Sequence, residues 1–174
     1  MQKSQDGYRP NVGIILLNSD NEVFWARRSG HDGWQFPQGG VKSNETLKQA
    51  LYRELHEEIG LAPEHVNIVA RTQRWLRYDL PASHLKRLRS RNNRKFRGQK
   101  QIWFLLRLMG NESEVRLDRS TRPEFDHWIW KDWLAAVEEI IEFKRGVYER
   151  AYSELRVHLL KQSHSRSSGL TQYP

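Results

Sequence analysis

Three glutamates, Glu54, Glu57 and Glu58, lie close together in the stretch GGVKSNETLKQALYRELHEEIGL, Gly39 to Leu61. The apolar residues of that stretch, Leu47, Ala50, Leu51, Leu55 and Ile59, recur at spacings of three and four, which predicts a helix from about Asn44 to Ile59. Put Glu54 at zero on a wheel of about 100° per residue. Glu58 then falls at about 40° and Glu57 at about −60°, while Leu47, Ala50 and Leu51 occupy the same arc. Carboxylates therefore share the side of the helix that should face the core. Clustered carboxylates repel, and a partly buried charge is costly unless it is paired. A rise in pKa relieves the cost, and so does a bound cation. Three oxygen donors on one face, with no cysteine and no histidine among them, suit Mg²⁺ or Mn²⁺ better than Zn²⁺. The plainer alternative is a solvated acidic helix end paired with Lys or Arg, although glutamates near a helix C-terminus also oppose the dipole.

The neighbours of this cluster have supporting chemistry. Gly39 and Gly40 let the backbone come close to a cation, and a carbonyl there is a further candidate ligand. Arg53 stands where it can orient the Glu54 carboxylate. Glu45 falls on the far side of the wheel, which suits a structural ion pair or a cap. His56 falls at about 200°, away from the cluster.

The elements that must position these groups follow from pattern. Val12 to Leu17 is a continuous apolar run and predicts a buried strand. Asn18 to Asn21 is turn material, and Glu22 to Arg28 predicts the returning strand of a hairpin. Ser29 to Gly40 reads as irregular. Ser43 or Asn44 is the expected cap of the glutamate helix, and Gly60 its stop. Val66 to Arg71, Arg74 to Tyr78, Gln101 to Leu108 and His127 to Trp130 predict strands. Trp133 to Ile141 and the Val147, Ala151, Leu155, Leu159 pattern predict two closing helices. Strands with two or three helices imply an α/β fold, a mixed sheet packed between helices. The expected domain is 7–153, with 154–174 as the end of the last helix and a polar tail.

Composition narrows the partners. The chain of 174 residues has 29 Lys and Arg against 21 Asp and Glu, a formal charge of +8. The absence of cysteine rules out disulfides, thiolate metal sites and cysteine nucleophiles, and is compatible with a cytoplasmic protein. No apolar run is long enough for a membrane span. The excess is concentrated: Arg71 to Arg107 contains twelve basic residues and one acid, Asp79. The densest part is Lys86, Arg87, Arg89, Arg91, Arg94, Lys95, Arg97 and Lys100. A basic loop of this kind suits a polyanionic partner, either nucleic acid or phosphorylated small molecules, the alternative being a solvated loop with no partner.

Gly39, Glu45, Arg53-Glu54-Leu55, Glu57-Glu58, Gly60 and Leu61 fill every fixed position of G-x5-E-x7-R-E-U-x-E-E-x-G-U, where U is aliphatic. The segment thereby resembles the Nudix box. The resemblance implies an α/β/α sandwich and metal-dependent hydrolysis of a nucleoside diphosphate linked to another group. GYRPNVG (Gly7 to Gly13), WARR (Trp25 to Arg28), WQFPQGG (Trp34 to Gly40), WLRYDLP (Trp75 to Pro81), GQKQIWFLL (Gly98 to Leu106), PEFDHWIW (Pro123 to Trp130) and FKRGVY (Phe143 to Tyr148) are similar to the bacterial RNA pyrophosphohydrolases, relatives of dinucleoside polyphosphate hydrolases.

That resemblance implies a reaction and a set of residues. The reaction removes pyrophosphate from 5′-triphosphorylated RNA and leaves a 5′-monophosphate, an end that promotes mRNA decay. Glu54, Glu57 and Glu58 would be metal ligands, with Glu124 as a fourth carboxylate, ligand or base; Glu57 is the favoured general base. Arg9, Arg28 and Lys144 match positions near the phosphates or first bases. Arg28 and Phe143 would sandwich a base, and Tyr78 and Gln99 are further candidates. Without the resemblance, Arg28 reads as a surface residue and Phe143 and Tyr78 as core. Trp25, Trp75, Trp103, Trp128, Trp130 and Trp133 read as packing residues. Two alternatives stand beside this reading: a diadenosine tetraphosphate or pentaphosphate hydrolase, and a non-catalytic RNA-binding module. A monomer is expected, and whether an accessory protein takes part is open.

Overall fold

The computed structural model describes residues 6–85 and 97–159. The expected basic loop, except Arg97 and Lys100, and the expected polar tail from residue 160 lie outside the described residues. Among the described residues, eight strands run in the order β1 (Tyr8–Leu17), β2 (Val23–Arg28), β3 (Trp34–Gln35), β4 (Gln38–Gly40), β5 (Val66–Arg71), β6 (Leu76–Asp79), β7 (Gly98–Leu108) and β8 (Phe125–Lys131). Helix α1 (Leu47–Ile59) follows β4; α2 (Trp133–Glu139) and α3 (Glu142–Leu155) follow β8. Short 3₁₀ turns lie at Pro63–His65 and Glu112–Glu114.

The sheet is mixed. β1 and β7 pair in parallel from Tyr8↔Gly98 to Leu17↔Arg107. On the other side of β7, β6 and β5 pair antiparallel, one after the other. β4 pairs with the middle of β1, whereas β2 meets β1 only at Leu17↔Val23 and then carries β3 and β8. The chain thus splays between β1/β4 and β2/β8, and that opening holds the carboxylates.

Period-two alternation divides the core into two layers. Ile15, Leu17, Trp25, Trp103 and Leu105 pack against α2 and α3, joined by Phe36 and Tyr148. Val12, Ile14, Leu16, Phe24, Phe104 and Leu106 pack against Leu51, Leu55 and Ile59 of α1. Each such leucine fully buried contributes about 1.5–3 kcal/mol of transfer free energy. Helices on both faces of a mixed sheet make the α/β/α sandwich that the motif implied. Gly13 has a packing reason: a Cβ there would overlap the ring of Trp103, its partner across the pairing with β7.

Some expectations need correction. The cap of α1 is Thr46, whose hydroxyl accepts from the Gln49 N–H while the Gln49 side chain accepts from the Thr46 N–H. This reciprocal box satisfies two orphan donors, which neither Ser43 nor Asn44 does. Gly60 ends the helix as expected, at φ 75°. The segment read as irregular contains β3 and β4, strands too short to show a period. Trp75 is 36 % exposed rather than core, with the Lys100 ammonium over its ring. No helix among the described residues is long and apolar enough to cross a membrane.

Candidate active site

Arg53 organises one flank of the opening. Its Nε and Nη2 donate to the two Glu45 oxygens at 3.0 and 2.6 Å, and Nη2 also to the Gly40 carbonyl at 2.8 Å. Nη1 donates to Glu54 Oε1 at 2.6 Å and to Glu57 Oε2 at 3.2 Å. Glu45 precedes α1 rather than sitting on its far side, and in that place it forms the ion pair foreseen for it. The Arg53 bonds hold the Glu45 carboxyl below the usual range. Glu54 is raised instead, because burial outweighs the same guanidinium. Gly39 makes room for it: a Cβ there would overlap the Glu54 carboxylate.

The opposite flank is less evenly balanced. Glu58 accepts the Gln38 N–H at 2.9 Å. Its carboxyl is pushed well above the usual range, first by burial, then by the charges of Glu54 and Glu124. Glu124, just before β8, accepts from Arg28 Nε at 3.0 Å. Lys144 is buried, and its ammonium donates to Gln35 Oε1 at 2.9 Å. Burial lowers Lys144 to about 8, helped by the Arg28 charge and opposed by Glu124 and Glu58. Behind them, buried Gln101 donates from Nε2 to Asn11 Oδ1 at 2.8 Å and Gln38 Oε1 at 3.0 Å, tying β4 to β1 and β7.

A cavity of about 500 Å³ joins the flanks, lined by Glu54, His56, Glu57, Glu58, Arg119, Ser120, Arg122 and Glu124. His56 therefore reaches the cavity rim, although the wheel directs it elsewhere; an exposed side chain next to Glu57 at the helix end is long enough to do so. Among the described residues no three acidic or histidine side chains converge on a metal-coordinating geometry. Glu54 and Glu57 are turned onto Arg53 and Glu58 onto the β4 backbone. The donor set nevertheless fits a hard divalent cation. It is all oxygen and carries surplus negative charge, and one of its carboxyls, Glu58, is destabilised by the charges of Glu54, Glu124 and Glu57.

The expected substrate residues divide. Arg9 is exposed on β1 and its guanidinium lies on Gly40, where a Cβ would overlap it. Tyr78 is buried and donates to Gln99 Oε1 at 2.9 Å, its cross-strand partner; burial raises its hydroxyl. Phe143 is half-buried, 6.1 Å from the Tyr78 ring and 5.5 Å from His84. The Arg28 guanidinium is bonded to Glu124 rather than open-handed for a base, and Lys144 is committed to Gln35. Sequence reasoning missed Gln35, Gln38 and Gln101, and the Arg119-Ser120-Arg122 loop. A lone glutamine or a charged loop carries no periodic signal, and only tertiary packing brings them here.

A NUDIX domain matches residues 7–151. The chain is 58 % identical over 150 residues to an RNA pyrophosphohydrolase of Alkalilimnicola ehrlichii, covering 86 % of this chain and 81 % of that one. It is equally identical over 154 residues to the RNA pyrophosphohydrolase of Halorhodospira halophila, covering 88 % and 83 %. Among solved structures it is similar to the E. coli dihydroneopterin triphosphate pyrophosphohydrolase, with TM-score 0.62, 22 % identity, and 82 % and 95 % of the two chains covered. At that identity the likeness speaks for the fold, and it agrees with the sandwich described above. With the box filled, the fold matched and the family domain spanning most of the chain, this protein belongs to the Nudix hydrolase family.

Proposed function

We propose that the protein is an RNA pyrophosphohydrolase that converts 5′-triphosphate RNA ends to 5′-monophosphate ends and releases pyrophosphate. The observation that carries this reading is the gathering of Glu54, Glu57, Glu58 and Glu124 around one cavity, with Arg28 and Lys144 beside it, in a chain 58 % identical to RNA pyrophosphohydrolases. Nudix hydrolases use divalent cations; Mg²⁺ is the ion proposed here, with Mn²⁺ as a substitute. Such ions neutralise charge building on the phosphate oxygens and lower the pKa of an attacking water.

The chain's own residues supply the rest. Glu54, Glu58 and Glu124 would hold the cations, and Gly39 leaves room for the Glu54 carboxylate. A water oxygen forms a bond to phosphorus, the anhydride P–O bond breaks, and pyrophosphate leaves with its electron pair. Glu57 takes the water's proton. It is half exposed and held by a single 3.2 Å contact, which leaves it free to turn. Arg53 positions Glu54 and Glu57. Arg28 and Lys144 bind phosphate oxygens near the RNA end, and Arg9, Tyr78, Gln99 and Phe143 face the first nucleotides. The protein works as a monomer in the cytoplasm.

Rates on 5′-triphosphate RNA and on diadenosine tetraphosphate test the reading. A higher kcat/KM on the RNA is expected, and a strong preference for the dinucleotide would overturn it. Glu57→Gln should lose rate while keeping metal affinity, and an unchanged rate would reject Glu57 as base.

A further inference from the structure

Arg119 and Arg122 face the glutamates across the cavity and are exposed. Among the described residues neither makes an ion pair, whereas Arg27, Arg28 and Arg53 each do. Ser120 fixes the loop between them: its hydroxyl accepts the Arg122 N–H at 3.2 Å and donates to the Arg122 carbonyl at 3.3 Å. Tyr78, Gln99 and Phe143 are not part of the cavity lining. The two guanidinium groups, which make no ion pair among the described residues, thus line the carboxylate cavity itself, while the aromatic and amide groups stand outside it, Phe143 next to the Lys144 that feels the charges of Glu124 and Glu58.

We propose that Arg119 and Arg122 form the subsite for the terminal phosphate of the substrate and for the departing pyrophosphate. The inference rests on the reading of the protein as a triphosphate-end hydrolase. The arginines line the carboxylate cavity and the aromatic groups do not, so a polyphosphate whose nucleoside lies on the aromatic groups brings its distal phosphates, not its nucleoside, to the arginines. The cations held by the glutamates cover only some of the phosphate oxygens. A planar guanidinium bonds the remaining ones in pairs, and a charge-assisted bond of this kind outweighs a neutral one. Carboxylates alone here would repel the pyrophosphate, and the two arginines place positive charge beside them. They also make chain length legible: a 5′-diphosphate end lacks the group they bind.

The test uses the full chain with Mg²⁺. Arg119→Ala, Arg122→Ala and the double variant are assayed on matched 5′-triphosphate and 5′-diphosphate RNAs, and inorganic pyrophosphate binding is measured by calorimetry. The double variant should lose about thirtyfold in kcat/KM on the triphosphate and less than about threefold on the diphosphate. Pyrophosphate affinity should fall about tenfold while Mg²⁺ affinity is unchanged. Lysine at both positions should restore part of the loss, which an effect on loop folding alone would not allow. Equal losses on both RNAs, or unchanged pyrophosphate affinity, would overturn the subsite. Failure of the functional reading is seen separately, in the unaltered protein, as no pyrophosphate release from triphosphate RNA.

Discussion

The two flanks of the opening hold similar groups differently: Arg53 pairs the carboxylates of one, although burial still raises Glu54, and the buried Glu58 and Lys144 of the other are bonded to neutral partners. On the α1 flank, Arg53 bonds Glu45, Glu54 and Glu57 together and tethers them to the Gly40 carbonyl. On the other flank, Glu58 and Lys144 are both crowded by protein, and each is bonded to a neutral partner, the Gln38 N–H and the Gln35 amide. Their pKa values move toward the neutral form, Glu58 up and Lys144 down. A flank that is already paired is a scaffold. A flank whose buried Glu58 and Lys144 make no ion pair among the described residues is strained by desolvation, which a cation or phosphate would relieve. On the proposed reading, the difference separates the groups that hold the geometry from those that would bind ligands.

Glu58→Gln breaks that contrast most severely. It should lower kcat/KM at least a hundredfold, since a neutral amide cannot hold a cation in place. The metal-free variant should nevertheless unfold at a higher temperature than the parent. The sign follows from linkage: a carboxyl raised in the fold binds more protons there than when unfolded. Metal-free protein therefore loses stability as pH rises from about 4.5 toward the folded-state value. Thermal unfolding in EDTA across that range checks this, and an unchanged or lower Tm would contradict it.

Gly39→Ala should come next. The new methyl displaces the Glu54 carboxylate, and a misplaced ligand should cost ten- to hundredfold in kcat with a smaller effect on Tm. Arg53→Lys should cost about tenfold, because one ammonium cannot reach three carboxylates and a carbonyl at once. Rate and metal affinity measured together check both variants.

Lys144→Met carries the smallest expected effect on rate and sharpens the other side of the contrast. A lysine held near 8 is costly to keep charged, so the variant should gain about 2 kcal/mol at neutral pH. The unfolded chain binds more protons between about 8 and 10.5, so metal-free parent protein should gain stability as pH rises through that window. The methionine variant should lack that slope in unfolding measurements, and its KM for RNA should rise.

The α1 flank was legible in the sequence because its information is local. Glu45, Arg53, Glu54 and Glu57 lie within one helix and its approach, where spacing fixes which groups meet, and Glu58 of the opposite flank shares that helix. The sandwich was legible for a similar reason, since period-two runs such as Val12 to Leu17 state which residues face each layer. The opposite flank brings Gln35, Glu124 and Lys144 together from far-apart parts of the chain. No local pattern marks Gln35, and nothing in the sequence says that Lys144 is buried. The Thr46 cap was missed because Ser43, Asn44 and Thr46 are all capable acceptors, and only the start of the α1 backbone decides among them. β3 and β4 are too short to show alternation, yet β4 carries the Gly39 and Gln38 contacts on which the carboxylates depend.

The central claim is that these carboxylates hold the cations that cut the anhydride of an RNA triphosphate. Its most direct test is to identify the phosphate species released from 5′-triphosphate RNA by the full chain, with Mg²⁺ and with EDTA. Pyrophosphate together with a 5′-monophosphate RNA end, formed with Mg²⁺ and abolished by EDTA and by Glu58→Gln, is the predicted result. Release that survives EDTA or Glu58→Gln, or no cleavage of the RNA end at all, would contradict the account.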